Sequence, residues 1–496
     1  MHGAGPVKGA DHPWHGVPWN SIHGDSHNAD APPYPTAARY SLSRRSLTGS
    51  AVLFGPSLDA DGRLFSCSGR GEGSPHLHCL NADGTTLWES EPWRKGGDAL
   101  GPRACPFAPL LDGEGCVYVA DEKAFWCFEA GTGNVRWRTA LAPLGIHEGF
   151  PSAVFSPAGH VGGISLDGTA LFLERASGEP AYAPLRLPRS VAPDAATLPP
   201  GIWQGLMDPA TAAVLFPGFF GTAFPVTNSP AVSLEHGRIY LPAAGADKSG
   251  SRLLAFTESA DGLDLALSTA FEGRCSVTPS LSPDGETVYT GNHRGSLLAF
   301  DGRSGALRWR YQPAGTAASP TVGRDGTVYT GSTTGVDRPS CLSAIDPATG
   351  EARWCRSYDE LAAARLPTRA PLTPFFEDPQ PHAVINSVQT IGQDHLLVVL
   401  VLGYTFTAPG AAALTQPHLA VLASINRDDG SLLGATDLPD TSEAAVVLAE
   451  DGSVYTAHAA LTSSVFYYGI NPMLPEAYRT ALVPAGGISA LRPAMT

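Results

Sequence analysis

The 496 residues include 55 glycines and 44 prolines but only 16% charged residues, a turn-rich composition that excludes a coiled coil or other long-helix protein. Hydrophobic residues make up 43% and no run approaches the 18 apolar residues of a membrane span, so the chain reads as soluble with a large core. Lys and Arg number 32 against 47 Asp and Glu, a formal charge of −15 that argues against nucleic acid as a partner.

The N-terminal run MHGAGPVKGADHPWHG lacks the apolar stretch of a signal peptide, which leaves the compartment open: cytoplasmic, or exported with the signal removed. Residues 1–33 read as a lead-in segment and YPTAARYSLSRRSL (34–47) as an isolated strand. A repeat follows. Residues 61–90 end in Trp88; the next copy holds CVYVA (116–120), AFWCFE and VRWRT with Trp137; residues 278–315 and 319–356 match closely, with Trp309 and Trp354 at one position. Weaker copies begin near Ser156, Leu234, Gln393 and Glu450, the last reading DGSVYTAHAALTSSVFYYGI, which makes eight.

Each copy is four short β-rich runs punctuated by Asp-Gly or Thr-Gly turns, the pattern of antiparallel hairpins. One such sheet cannot bury both faces, whereas eight set radially cover one another. The expected fold is all-β: a single eight-bladed β-propeller of four-stranded antiparallel blades over 34–496. The last copy runs out after three strands, so the 34–47 segment is expected to supply its outer strand and close the ring. Cap insertions are expected at about 183–228, 357–385 and 403–417.

The runs AFDGRSGALRW (299–309) and AIDPATGEARW (344–354) resemble the tryptophan-docking repeat of PQQ-like β-propellers, and PWNSIHGDSHNAD (18–30) resembles the lead-in before their first blade. That resemblance spans about the whole chain and implies the fold. Its members include quinoprotein alcohol dehydrogenases and an outer-membrane assembly scaffold. For the dehydrogenases it implies an adjacent-cysteine disulfide beneath PQQ and Glu, Asn and Asp ligands to calcium. The eight cysteines here form no adjacent pair and no CxxC, so PQQ with calcium is disfavoured and no cofactor is assigned.

The Asp-Gly and Thr-Gly turns share one face of such a ring, and the irregular loops share the other, where a site is expected. Aligning the starts of the innermost strands brings Val52, Cys105, Glu148, Val226, Cys275, Thr316, Ile385 and Ser442 to equivalent places near the channel mouth. Glu148, His147, His293 and Arg274 are the expected acid/base and oxyanion-stabilising groups. Arg103, Cys105, Trp203, Asn228, Cys275, Arg294, Asn386 and His458 are the expected substrate-binding residues. No metal is assigned, because Cys79 of the run His76-Leu77-His78-Cys79 aligns with Cys127, Ala299 and Ala344 as a small packed residue.

The function read from this is a small-molecule-binding propeller, with cofactor-independent acid/base chemistry of lyase, hydrolase, isomerase or cyclase type in a capped funnel. A non-enzymatic interaction scaffold is the alternative, and a PQQ-dependent dehydrogenase the second. Neither the substrate nor the oligomeric state is written in the sequence.

Overall fold

The computed structural model describes residues 11–105, 107–147, 149–187, 229–244, 250–273, 277–292, 295–312, 316–317, 319–333, 340–407 and 414–494. Eight antiparallel sheets follow one another as blades, each with its innermost strand a first and its outer strand d last in spatial order. Blade 1 runs through Ser57–Leu58, Leu64–Cys67, Leu77–Leu80 and Thr86–Glu89, and blades 2 to 7 repeat it. In blades 6 and 7 strand a is split in two, as at His382–Ile385 and Thr390–Ile391, both paired with the same neighbour.

Blade 8 takes Val447–Leu448, Val454–His458 and Gly487–Pro493 from the C-terminal end and Tyr40–Ser46 as its outer strand. Tyr40 pairs Pro493 and Ser46 pairs Ile488, so the ring closes through the N-terminal strand as its repeat pattern requires. Such closure leaves no long sheet edge exposed. The SSVFYYGI run departs from the strand grammar. It is helical, a four-residue turn at Leu461–Ser464 continued by a π-helical turn at Val465–Ile470, and the third strand comes only at Gly487.

The seams between blades follow from the repeated residues. Strand d of blades 1, 2, 5 and 6 carries Trp88, Trp137, Trp309 and Trp354, each opposite a small residue of strand c: Cys79, Cys127, Ala299 and Ala344. That small neighbour lets the indole lie flat over the sheet, 5.7–6.1 Å from an aromatic ring of strand b. Each indole N–H then donates to a carbonyl of the next blade at 2.8–2.9 Å. The next blade meets the ring with a glycine of φ 72–75° (Gly133, Gly178, Gly350, Gly430), where a Cβ would lie 2.5–2.7 Å from the indole. Only glycine combines that backbone with that approach.

The closing seam differs. Arg44 occupies the tryptophan's place opposite Ala490, its guanidinium 5.9 Å from the Tyr455 ring, and Gly84 of blade 1 packs on its Nε. Arg44 Nε and Nη2 are buried without a hydrogen-bond partner, and a cavity of about 290 Å³ lined by Arg44, Leu58, Tyr455 and Arg492 lies beside it.

The lead-in crosses the turn face. Its carbonyls at Trp19, Asn20, Ser26, His27, Ala29 and Asp30 accept from the backbone N–H of Leu58, Leu111, Val232, Leu281, Val322 and Ile391, all in innermost strands. His12 Nε2 donates to Ser156 O just after the innermost strand of blade 3. Blades 1 to 7 are thereby tied to a single strap. Trp19 is fully buried against Gly24, and His23 Nδ1 lies 2.8 Å from the buried Asp30 carboxylate. No helix among the described residues is long and apolar enough to cross a membrane.

Candidate functional site

Among the described residues, the irregular face is built up most strongly over blades 7 and 8. The stretch 357–385, the extended hairpin of blade 7 and the 459–486 loop of blade 8 share an aromatic core of Phe376, Tyr404, Phe406, Phe466 and Leu474. Phe406 lies 5.5 Å from both Phe376 and Phe466. Polar contacts lock the three together: Gln416 Nε2 donates to Tyr478 O at 2.7 Å, and Tyr478 Oη donates to Ala370 O at 2.8 Å. Arg369 lies 4.2 Å over Tyr404, and desolvation, aided by the Arg369 charge, holds the half-buried His418 down to a pKa of about 3. The expected insertions at 357–385 and 403–417 therefore pack as one body with a third, 459–486, that strand counting had absorbed into the last copy. Residues 408–413 of the second, and 188–228 of the insertion expected at 183–228, lie outside the described residues.

Beneath this layer blade 8 begins with Asp440-Thr441-Ser442-Glu443. Asp440 is buried and accepts from the N–H groups of Thr441, Ala485 and Gly486 at 2.7–3.1 Å, so its oxygens are spent on holding the end of the 459–486 loop. Glu443 is placed differently. Its Oε1 takes Thr462 Oγ1 at 3.3 Å and Thr441 Oγ1 at 3.5 Å, the Asn386 amide lies close to the carboxyl, and its Oε2 is buried with no hydrogen-bond partner among the described residues. Burial, and then the nearby Asp440, push the Glu443 carboxyl up to about 7, against the opposing pull of Thr462 and the Asn386 amide. Two carboxyl groups three residues apart are thus driven into separate roles, one an anchor and one a proton-holding acid.

Three hydroxyls at the same junction are also buried without partners: Ser442, beside Glu443, and Ser463 and Ser464, which follow Thr462. The loop reaches them through Ala460, a non-glycine residue at φ 55° that turns the chain from strand b into the Leu461–Ser464 helix. Left-handed backbone at a non-glycine residue and a π-helical turn are both costly features that concentrate at functional sites.

The expected site residues divide sharply. Glu148, His293 and Arg274, and with them Trp203, Asn228, Cys275 and Arg294, lie outside the described residues. His147 is exposed, with its backbone N–H 3.4 Å from Asp167 Oδ2. Cys105 is buried, its Sγ 2.9 Å from where a Cβ on Gly69 would sit, and burial raises its thiol to about 12, so it packs instead of facing a ligand. Arg103 is half-buried beside it in a one-turn 3-10 helix, Pro102–Ala104.

His458 corrects the expectation of a ligand-facing imidazole. It is fully buried, with Nδ1 3.0 Å from Thr441 O and Nε2 between Ser489 Oγ at 2.8 Å and Thr456 Oγ1 at 3.2 Å. Desolvation lowers its pKa, so the neutral ring serves as a cross-link behind the Asp440–Glu443 turn. Asn386 does reach the junction, donating from Nδ2 to Ser442 O at 2.9 Å. Glu443 escaped the sequence reading by one position, since Ser442 was the residue in the aligned row.

The described residues do not fit a quinone with calcium. Cys105 is a free, buried thiol wedged against Gly69 with the non-adjacent Cys67 thiol nearby, and no three His, Cys, Asp or Glu side chains among the described residues converge as ligands. Calcium takes six to eight oxygens.

The sequence profile of the outer membrane protein assembly factor BamB matches residues 36–179 and 248–377, more than half of the chain. No curated protein matches the sequence. Among solved structures, a europium-containing methanol dehydrogenase is similar at 11% identity and a TM-score of 0.57, over 96% of this chain and 98% of that one. A quinohemoprotein alcohol dehydrogenase from Comamonas testosteroni matches at 12% identity and 0.51, over 96% and 82%. BamB from Moraxella catarrhalis matches at 13% identity and 0.47, over 92% and 98%. The two dehydrogenase likenesses carry the fold alone, and fold alone does not fix activity. With its eight four-stranded blades and this profile match, the chain belongs to the PQQ-like propeller family that includes BamB.

Proposed function

We propose that the propeller binds a small organic molecule on its irregular face, at the channel mouth beneath the layer packed over blades 7 and 8, and acts on it by acid/base chemistry without a bound cofactor. The observation that carries this reading is the Glu443 carboxyl: buried at one oxygen, lacking a partner there, and titrating near neutrality where an acid/base group is most effective. A carboxyl kept this way costs stability, which a purely structural position would shed by substitution. Glu148, His147, His293 and Arg274 remain the further groups of the proposed mouth.

The test is a metabolite panel read by thermal shift and native mass spectrometry, with metal content measured on the same sample, on the wild type and on Glu443→Gln, Glu148→Gln and His293→Ala. Ligand stabilisation that all three substitutions leave unchanged sinks the site. The match to an assembly-factor profile favours a second reading, a protein-interaction scaffold. A stoichiometric protein partner that binds with the mouth substituted, with no small molecule bound by the wild type, would establish that reading instead.

A further inference from the structure

Resting on the ligand-binding reading above, we infer that the blade 7/8 junction recognises an organic cation, a primary or secondary ammonium group, seated on Glu443 with hydroxyl acceptors from the start of blade 8 and the Leu461–Ser464 helix.

The argument begins with what is left over. A buried polar atom in a folded protein nearly always has a partner, and each exception asks for one. Such exceptions occur in several places among the described residues, and four of them belong to two short stretches that meet at this junction: Glu443 Oε2 and the Ser442 hydroxyl, and the hydroxyls of Ser463 and Ser464. Ser442 and Ser463 are completely buried, so ordinary surface hydration does not account for them. Thr462, one residue before Ser463, touches Glu443 Oε1, which sets the helix against the carboxyl.

The chemistry of the missing partner follows from the charges around it. Asp440 stands on the same turn and opposes a second negative charge, while blade 7 contributes the neutral Asn386 and the helix the neutral Thr462. Behind the turn, His458 is neutral and bonded to Thr441 O, and Arg45 influences His458 from the outer strand. An anionic ligand would add to the repulsion between the two acids. A metal ion would find too few ligands, because the Asp440 oxygens already accept three backbone N–H groups. An ammonium group matches instead: one positive charge for one carboxylate, and two or three N–H donors that oxygen acceptors can receive. A neutral alcohol would satisfy hydrogen bonding but leave the acid pair uncompensated.

Proton balance gives the binding a signature. In the free protein Glu443 holds its proton up to about pH 7; seating an ammonium group requires the carboxylate, so below that pH one proton leaves for solvent with each cation bound. Affinity should therefore tighten by about fivefold between pH 6 and pH 7 and by about tenfold in all by pH 8, then level off until the amine itself loses its proton.

The experiment compares ethanolamine, putrescine and benzylamine with their uncharged counterparts ethylene glycol, butane-1,4-diol and benzyl alcohol, by calorimetry and thermal shift on the full chain. The expected result is that at least one amine binds, that its counterpart does not, and that Glu443→Gln weakens binding by about 10–100-fold, the worth of one charge-assisted hydrogen bond. Ser463→Ala serves as a second variant, expected to weaken the same amine by a few-fold, and keeps the test valid should the Gln variant fold poorly. Failure of every amine to bind, equal binding of the uncharged counterparts, or affinity independent of pH from 6 to 8 would overturn the inference. An anionic or neutral metabolite found to bind in the broader panel would overturn the ammonium assignment while leaving the ligand-binding reading in place.

Discussion

The regular seams of blades 1, 2, 5 and 6 and the sector around blade 8 solve the same packing problem with different materials. In the regular seams an indole lies over a small residue, packs at a tilt against an aromatic ring and spends its only polar atom on the next blade. Around blade 8 the same place is held by Arg44 with two unpartnered nitrogens, a cavity adjoins it, and a buried carboxyl and three hydroxyls lack partners. At the four docking indoles local pattern, packing and polar satisfaction agree, although blades 1 and 2 have unpartnered buried atoms of their own at His76, His78, Glu122 and Trp126. Where the repeat is broken they conflict, and such conflict is the mark of a position kept for chemistry. The stability of the ring and its proposed binding function thus occupy different blades.

The sharpest way to break this contrast is to remove an indole. Trp309→Ala should cost about 3–5 kcal/mol, the range for deleting a buried aromatic side chain, in urea or guanidinium unfolding. A loss under 1 kcal/mol would show that the regular seams are not the stable part. Next in size is Glu443→Gln. The folded-state pKa of about 7 lies above the ordinary 4.5, so the native form holds a proton that the unfolded chain has released. Wild-type stability should therefore fall as pH rises from 4.5 through 7, by about 1–3 kcal/mol, and the Gln variant should lack that fall. The two proteins would be matched near pH 5 and the variant more stable at pH 8; identical curves would remove Glu443 from the argument.

Arg44→Ala, by contrast with Trp309→Ala, should cost only about 1 kcal/mol, since it removes a cation–π contact and some apolar stem but also two unpaired donors. A loss as large as that of Trp309→Ala would make the closing seam equivalent to the others. Smallest is Ser463→Ala, expected within about 0.5 kcal/mol of wild type, because the hydroxyl it deletes has no protein partner to abandon.

These contrasts also explain how far the sequence could be read. Strands, turns and blade number are local: an Asp-Gly turn or a Trp facing an Ala says the same thing in every copy, and the strand missing from the last copy pointed to residues 40–46 for closure. The junction is not local. Glu443 matters because Thr462 and Asn386 meet it from other segments while Asp440 stands on its own turn, and its neighbour Ser442, not Glu443, carried the repeat position. His458 looked available because a histidine at a strand end is indistinguishable, in sequence, from one whose two nitrogens are taken by Thr441 and Ser489. The 459–486 loop was missed because SSVFYYGI has the β-branched and aromatic content of a strand, while the aromatic core it joins is supplied by residues about 60 to 90 positions earlier.

The strap across the turn face has a consequence for how the chain comes to be folded. Its carbonyls between Trp19 and Asp30 find their donors at Leu58, Leu111, Val232, Leu281, Val322 and Ile391, so acceptors close together in the chain wait on donors scattered over more than three hundred residues. The neighbouring strand Tyr40–Ser46 waits longer still, for Gly487–Pro493. On a ribosome this segment emerges before all of these partners and is completed only with the last of them. Until then it lacks its native partners, and closure of the ring requires the final blade.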